Sequence, residues 1–371
     1  MTNLNLRCLI LVAAFAALVE SAHGQICVKS DGSGNTGCGT STLSSNTGED
    51  NTAVGFFALT YNTFGSSNTA LGFEALQNNN GSFNTATGAT ALQFNSTGDY
   101  NTASGFGALY SNTIGGYNTA SGFESLFSNA SGDGNTASGW GALYSNTTGS
   151  NNTASGMQAL YFNTIGSNNT ASGYGSLFSN TTGHDNTAIG NIVLTSNSTG
   201  NYATAVGAGA LFYNSAGTNN TAIGYMTLYS NTTGSNNLVA GYQAGINLTN
   251  GSNNIDIGNQ GAAGDNNTIK IGIQGTQTQT QIAGIYGNTL ERGLLVLIDS
   301  SGRLGTLSFE RFKTLLGERE NERKAMREKL DALTTQSQNQ LAEIRDLKKM
   351  LFKMQAGLVK LQVKDTLVVQ R

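Results

Sequence analysis

The chain of 371 residues contains 49 glycines, no proline and only 11% charged residues, and its formal net charge is −3. This composition departs from that of an average globular domain and argues against a standard α/β enzyme. Intrinsic disorder is also disfavoured, because disordered segments lack regularly placed apolar residues, whereas Ala, Leu and aromatic residues recur in this chain at fixed positions.

Residues 1–24 are predicted to be a signal peptide. Arg7 supplies the positive charge, an apolar run follows it, and Ala22 and Gly24 supply the small residues of a cleavage site. The apolar run is too short to span a bilayer. We therefore expect an exported protein, located outside the cell, at the cell surface or in the periplasm, with no transmembrane segment in the mature chain.

Residues 25–34 are predicted to form an N-terminal cap segment. Cleavage after residue 24 leaves Cys27 and Cys38, and in an exported chain these two cysteines most simply form one disulfide at the start of the array. His184 stands alone in a loop position and is expected to be solvated. Metal binding would need more ligands, so we expect neither a metal nor a cofactor.

A repeat occupies residues 35–258. The unit has 17 residues with the consensus N-T-A-x-G-x-x-A-L-x-x-N-T-x-G-x-x, and two units near the start have 16. The period is too short for a propeller blade or a helical repeat, and two glycines in every unit disfavour a helix. The sequence therefore predicts an all-β repeat, a parallel β-solenoid with one coil per unit.

Each conserved position of the unit has an expected role in the coil. Both glycine series should lie where the backbone turns in a conformation that favours glycine. The Leu of every unit should stack into one internal column, and the Asn that begins each unit should form a ladder of amide hydrogen bonds. The Asn-x-Ser/Thr triplets at Asn146, Asn180 and Asn231 follow from the repeat and need not be glycosylation sites.

Two further columns leave alternatives open. An aromatic column follows the first Gly of the unit and could line an interface between chains or form a binding stripe; because so thin a coil buries little apolar area, we favour the interface. Its members are Phe56, Phe73, Phe106, Phe123, Trp140, Tyr174 and Tyr225. A regular Thr column suggests ice binding as another alternative. It comprises Thr52, Thr69, Thr85, Thr102, Thr119 and Thr136.

Residues 259–315 are predicted to be a terminal coil and a neck. Around the end of the array, isoleucines alternate with other residues, which indicates strands with a changed spacing. They are Ile255, Ile257, Ile269, Ile271 and Ile273. A Ser-Ser-Gly turn at residues 300–302 should then connect two short strands.

Residues 316–361 carry an uninterrupted heptad pattern, which predicts an α-helical coiled coil. Its apolar core positions are Leu316, Met326, Leu330, Leu333, Ile344, Leu347, Leu351, Met354, Leu358 and Leu361. Ser337 and Gln340 make a polar layer of the kind that fixes register at some cost in stability. The mixed charges of this region favour a solvated face over nucleic-acid binding, and residues 362–371 remain as a tail.

These repeats carry a resemblance to known families. Units such as NTAIGYMTLYSNTTGSN, residues 220–236, resemble the head repeats of YadA-like trimeric autotransporter adhesins and are similar to bacterial and phage tail-fibre-like proteins. The resemblance implies a parallel homotrimer of left-handed β-rolls, joined through a neck to a trimeric coiled coil. No membrane-anchor barrel is expected after the coiled coil.

A second resemblance concerns the neck. The segment from IAGIYGN to DSSGRLGTLSFERFK is similar to the neck that precedes the endosialidase-type intramolecular chaperone of tail spikes. There it implies a self-cleaving Ser-Lys dyad, matched here by Ser308 and Lys313. The folded body of that chaperone is not expected, and a Lys at the start of a coiled coil is solvated and stays protonated. We therefore interpret the pair as an inactive vestige.

The sequence as a whole favours a non-enzymatic, fibrous structural or adhesin-like protein, secreted or exposed at a surface. Its trimeric rod would present a binding or spacer surface. The expected partners are two further copies of the chain and a host or matrix glycan or protein, with no nucleic acid. The alternatives are a tail-spike-type protein with a self-cleaving assembly chaperone, and an ice-binding solenoid.

Overall fold

The computed structural model describes residues 28–29, 32–273, 275–277, 295–298, 304–307 and 309–368, with helical side chains from residue 310 to residue 360. The chain divides into two compact units, residues 1–277 and 278–371. The predicted signal peptide, with half of the cap segment and part of the neck, lies outside the described residues.

The array forms one sheet with one short strand per coil. The strands are β1 (Val28–Lys29), β2 (Thr36–Cys38), β3 (Thr52–Val54), β4 (Thr69–Leu71), β5 (Thr85–Thr87), β6 (Thr102–Ser104), β7 (Thr119–Ser121), β8 (Thr136–Ser138), β9 (Thr153–Ser155), β10 (Thr170–Ser172), β11 (Thr187–Ile189), β12 (Thr204–Val206), β13 (Thr221–Ile223), β14 (Leu238–Ala240), β15 (Ile255–Ile257) and β16 (Ile269–Ile271). β1 pairs antiparallel with β2, whereas each later pair is parallel and joins equivalent residues. The predicted parallel β-solenoid is confirmed.

The coil that begins at Asn135 shows how the unit builds the core. Its strand alternates an exposed Thr136, a buried Ala137 and an exposed Ser138, as expected for a period of two. Ala142 and Leu143 are fully buried in the same coil. Because every coil repeats this arrangement, the Ala and Leu side chains form continuous internal columns, which confirms the predicted Leu column.

The two glycine series have different physical reasons. Gly139 has a φ of 129°, in the region that favours glycine, as predicted. The prediction was wrong for the second series, since Gly149 lacks a positive φ; a Cβ there would lie 2.3 Å from the carbonyl oxygen of Gly166. The second glycine therefore permits close approach of successive coils. Turning falls partly on non-glycine residues such as Leu143, with a φ of 54°.

Two ladders of buried Asn run along the array. The first ladder contains the predicted hydrogen bonds between equivalent Asn residues. The backbone N–H of Asn135 donates to Oδ1 of Asn118 at 2.9 Å, and the side-chain amide of Asn135 donates to the same oxygen at 3.2 Å. A second ladder contains Asn146, whose amide donates to Oδ1 of Asn129 at 2.7 Å. A buried polar group costs little when it is hydrogen-bonded, so these ladders allow a core rich in Asn.

The array changes at both ends. Cys38 is disulfide-bonded, while Cys27, the partner expected from the sequence, lies outside the described residues. At the other end Ile255 pairs with Ile269, only fourteen residues further on, and the predicted strands of the terminal coil are confirmed.

The second unit contains a hairpin and a helix. β17 (Leu295–Ile298) pairs antiparallel with β18 (Leu304–Leu307), which confirms the two short strands, and their turn lies outside the described residues. α1 (Phe309–Val368) has 60 residues and contains the whole heptad region. It also takes in residues 309–315 and 362–368, which were assigned to the neck and the tail.

Candidate binding surfaces

The outward side of each strand and the residue that follows its first glycine form a surface that we call the strand face. It consists of the second, fourth and sixth residues of each unit, represented by Thr136, Ser138 and Trp140, all of which are exposed. A second segment of the coil, which we call the turn side, consists of the eleventh to fourteenth residues of each unit, here 145–148. The two sides repeat from coil to coil because the register is preserved.

The two threonines of the unit have different hydrogen bonds. On the turn side, Oγ1 of Thr147 donates to the carbonyl oxygen of Thr164 at 2.9 Å, and Thr164 repeats this contact with Thr181. On the strand face, the hydroxyl of Thr136 has no partner among the described residues, and the same holds for the rest of the predicted Thr column, which begins at Thr52, and for its continuation to Thr221. The sequence does not distinguish these two threonines, because each follows an Asn.

The aromatic column predicted from the sequence lies on the strand face. Two pairs of these rings stack face to face, with centroids 5.2 Å apart for Phe106 and Phe123 and 5.7 Å apart for Phe56 and Phe73, whereas Trp140 and Tyr174 stack on no ring of the described residues. Stacking covers the ring faces of each pair and leaves ring edges for a partner. The exposed edges of the paired rings can pack against the apolar side chains of another protein surface.

A second aromatic column was missed in the sequence. Tyr110, Phe127, Tyr144, Tyr161 and Phe178 stack continuously, with centroid separations of 4.8 to 5.4 Å, directly after the buried Leu of their coils. These rings are half-buried. The signal that could have revealed them is an aromatic residue after Leu in five successive units.

Before the terminal coil, acidic side chains are confined to a few positions of the unit. They occupy the seventh residue, as in Glu74, or the sixteenth and seventeenth, as in Asp133 and Asp185. Burial raises the pKa of Glu74, and a hydrogen bond of 2.7 Å from Nε2 of Gln93 to its Oε2 partly offsets that effect. Within the described ranges, no three or more His, Cys, Asp or Glu residues are grouped so as to hold a metal ion.

The side chain of His184 is 40% exposed, in keeping with the predicted loop position, and its Nδ1 lies 2.7 Å from Oδ2 of Asp185. The Asn-x-Ser/Thr triplets at Asn146, Asn180 and Asn231 belong to the second Asn ladder and are fully buried. Their side-chain amides donate to neighbouring Asn and Gly oxygens. In the folded coil these amides are therefore inaccessible to a glycosyltransferase.

Asp256 is a buried carboxylate that sequence analysis missed. It occupies the place of the core Ala in the terminal coil, where it is fully buried and neither carboxylate oxygen has a hydrogen-bond partner. Burial raises its pKa to about 6; Lys270 opposes this shift and Asp265 adds to it. Lys270 itself is ion-paired with Asp265. The sequence feature that could have indicated this site is an acidic residue at the position where the N-T-A motif has Ala.

The predicted dyad is described only in part. Lys313 lies in the first turns of α1, where its side chain is 57% exposed and its Nζ lies 3.6 Å from Oε1 of Glu310. Ser308 lies outside the described residues. Lys313 is thus on an exposed helix surface and paired with a carboxylate.

The predicted coiled-coil positions form an open apolar seam on α1. Leu330 and Leu347 are 63% and 61% exposed in the single chain. The other exposed members are Leu316, Met326, Leu333, Ile344, Leu351, Met354 and Leu358, while the side chain of Leu361 lies outside the described residues. A shallow hollow on the helix is lined by Ile344, Leu347, Leu351 and Met354, which belong to this seam.

The fold defines a class of repeat protein, a parallel β-solenoid with one strand in each coil, accompanied by a long C-terminal helix. Comparison of the chain with protein-family models, with curated proteins and with solved structures finds no match. Among the described residues, no helix has both the length and the hydropathy needed to cross a membrane.

Proposed function

We propose that the protein is an exported, fibrous structural or adhesin-like protein. In this proposal three parallel chains form a rod of left-handed β-rolls, held together by a trimeric coiled coil of α1, and the rod presents a binding or spacer surface. The observation that carries the proposal is the open apolar seam of α1, because nine apolar side chains at heptad positions remain exposed in the single chain.

A long helix with such a seam buries it against other helices. The 60 residues of α1 would extend about 90 Å. A helix that only covered the end of the solenoid would be much shorter. Ser337 and Gln340 would place a polar layer inside the bundle and fix its register. The proposal of three chains, as opposed to two or four, rests on the resemblance of the repeats to the head repeats of YadA-like adhesins.

The array supports a role as a spacer. The fourteen steps from β2 to β16, at about 4.8 Å each, give a length of roughly 65 Å. The repeated coil presents similar side chains at each step, so a ligand recognised by one coil would meet further sites along the rod. A host or matrix glycan or protein is the proposed class of partner.

The described carboxylates support a non-enzymatic role. Glycoside hydrolysis commonly needs two carboxylates flanking one bond, whereas Glu74, Asp133 and Asp185 lie in different coils. Self-cleavage at Ser308 would need a desolvated Lys, and the exposed, ion-paired Lys313 does not favour it. We therefore assign no catalytic residue.

The oligomeric mass of the mature chain tests the proposal. Light scattering of the secreted protein should give three chains per particle, and electron micrographs should show an elongated array. A monomer or dimer would overturn the assembly. Binding of the trimer to a glycan array without turnover of the glycan would support the adhesin role, whereas release of glycan fragments would contradict the assignment of a non-enzymatic function.

A further inference from the structure

The strand face carries exposed apolar side chains at both ends of the array and along its aromatic column. Toward the N-terminal end its fourth residue is Val54 or Leu71, and toward the C-terminal end it is Ile189 or Ile223, each more than a third exposed. The aromatic column runs beside these residues, with Trp140 44% exposed. Large contiguous apolar patches mark interaction sites.

The same face contains no charge. From residue 52 to residue 257, no second, fourth or sixth residue of a unit is charged, and no Lys or Arg occurs between residues 30 and 269. The acids lie instead at the seventh residue, such as Glu124, and near the end of the unit, such as Asp99. Burying an unpaired charge is costly, so a strand face without charges can be covered by a partner without that cost, while exposed acids such as Asp99 stay in water.

The middle of the strand face offers hydroxyl groups. In β8 and its neighbours the second residue is Thr and the fourth is Ser or Thr, as in Thr136 and Ser138. The Thr hydroxyls have no hydrogen-bond partner among the described residues. A hydroxyl both donates and accepts a hydrogen bond, so a column of Thr is complementary to an identical column.

We propose that the strand face is the surface through which copies of this chain meet in the rod, with the turn side exposed. This inference rests on the proposed homotrimer, and it commits to a second copy of the chain as the occupant. In parallel copies related by rotation about the long axis of the array, equivalent columns meet at the same height. Hydroxyls then pair with hydroxyls, and ring edges pack against apolar side chains.

The turn side does not offer the same complementarity. The Thr that follows its buried Asn is already bonded to the next coil, as Thr147 is to Thr164. Its large exposed apolar residues are fewer than the twelve of the strand face and occur in only five coils. They are Tyr61, Phe64, Phe94, Ile114, Phe162, Ile165 and Tyr213. A partner covering this side would gain less apolar contact and fewer new hydrogen bonds.

Two cysteine variants of the full chain test the inference. Ser138→Cys places a thiol on the strand face, and the control Thr148→Cys places one on the turn side of the same coil; both positions are exposed in the single chain. We expect maleimide labelling at residue 138 to be at least about tenfold slower than at residue 148, because reaction at a covered site requires local opening. A spin label at residue 138 should likewise be immobilised and close to its copies.

Light scattering of the same samples separates this inference from the proposed function. A trimer in which residue 138 reacts as fast as residue 148 overturns the strand-face interface and leaves the trimeric rod intact. A monomer overturns both. Thermal hysteresis by the trimer would also overturn the inference, since ice binding needs the Thr column open to solvent.

Two double variants test the interface without relying on labelling rates. Ser138→Arg with Ser155→Arg puts charges on the strand face, and Thr148→Arg with Thr182→Arg puts them on the turn side. The first pair should lower the unfolding temperature of the assembly and the fraction of trimer, and the second should leave both unchanged. Equal effects of the two pairs would contradict the inference.

Discussion

Asn135 and Asn146, one from each buried ladder, donate their side-chain amides to the same acceptor, the carbonyl oxygen of Gly149, both at 2.8 Å. The two ladders are therefore joined within each coil and also run between coils. Asn135, Asn146 and Gly149 are all buried. If one amide donor is removed, its acceptor oxygens lose a hydrogen bond that water cannot replace.

The first prediction concerns this junction. Asn146→Ala should remove the donors to Gly149 and to Oδ1 of Asn129 and destabilise the array by about 1–3 kcal/mol, the usual cost of an unsatisfied buried polar group. The control Thr148→Ala removes an exposed hydroxyl and should change stability by no more than about 0.5 kcal/mol. Denaturant unfolding followed by circular dichroism measures both. Equal stability of the two variants would show that the ladder contributes little.

The second prediction concerns close approach between coils. Gly149→Ala would bring a Cβ to within 2.3 Å of the carbonyl oxygen of Gly166, so coils must separate locally and the unfolding temperature should fall sharply. Gly264→Ala is the matched control, because a Cβ there would meet nothing within 4 Å and the residue has no positive φ. Thermal unfolding of both variants checks the difference. A stable Gly149→Ala protein would be inconsistent with the tight stacking described.

The third prediction concerns pH. The pKa of Asp256 in the folded chain is raised to about 6, whereas an Asp in the unfolded chain has a pKa of about 4. Between these two pH values the folded state therefore binds more protons than the unfolded state. Stability should therefore rise as the pH is lowered from 7 toward 4.5. Asp256→Ala should be more stable than the native chain at pH 8, and this advantage should shrink at low pH.

Thermal unfolding across this pH range measures the effect of Asp256→Ala. The control Asp133→Asn changes an exposed carboxylate and keeps the acceptor for the backbone N–H of Gly116, which Oδ1 of Asp133 binds at 2.7 Å. Its pH profile should follow that of the native chain. An advantage of Asp256→Ala that did not vary with pH would exclude titration as its cause.

The fourth prediction concerns α1. Replacing both Leu347 and Leu351 by Asp should abolish assembly, because charges buried in the seam have no partners. Lys349→Asp reverses one charge outside the seam and should leave the particle mass unchanged, as measured by light scattering. If a chain ending at Gly302 assembled normally, the array alone would be sufficient for association and the proposed role of α1 would be wrong.

The fifth prediction concerns processing. The mature chain should run uncut from Gln25 to Arg371, because the exposed Lys313 is poorly suited to act as a base. Mass spectrometry of the secreted protein measures this directly. A fragment ending at Leu307 that disappeared in Ser308→Ala would establish self-cleavage and make the C-terminal part an assembly chaperone.

The fold was predictable because the repeat gives the same information many times. The period of 17 and the two glycines of each unit were sufficient to predict a parallel β-solenoid with one coil per unit. The second Asn ladder, the half-buried aromatic column and the left-handed conformation of Leu143 were not predicted. These features depend on how the chain bends within the coil, which periodicity does not specify.

The candidate site was less predictable for a related reason. The sequence identified the Thr and aromatic columns, but it could not tell that the hydroxyl of Thr136 points outward without a partner while that of Thr147 is bonded to the next coil. Asp256 was not predicted because the sequence alone does not distinguish a single departure from the repeat consensus that matters structurally from one that does not. Its importance follows from burial, and burial is known only from the fold.

The in-register stacking of nearly identical coils has a consequence for how the gene can change. An internal unit such as residues 135–151 makes its contacts with neighbours that have almost the same residues, so recombination could delete or duplicate it and restore equivalent hydrogen bonds at the new junction. The end coils lack this freedom, because Cys38 and Asp256 occur once each. Natural variants of the protein should therefore differ in the number of internal units and keep both ends.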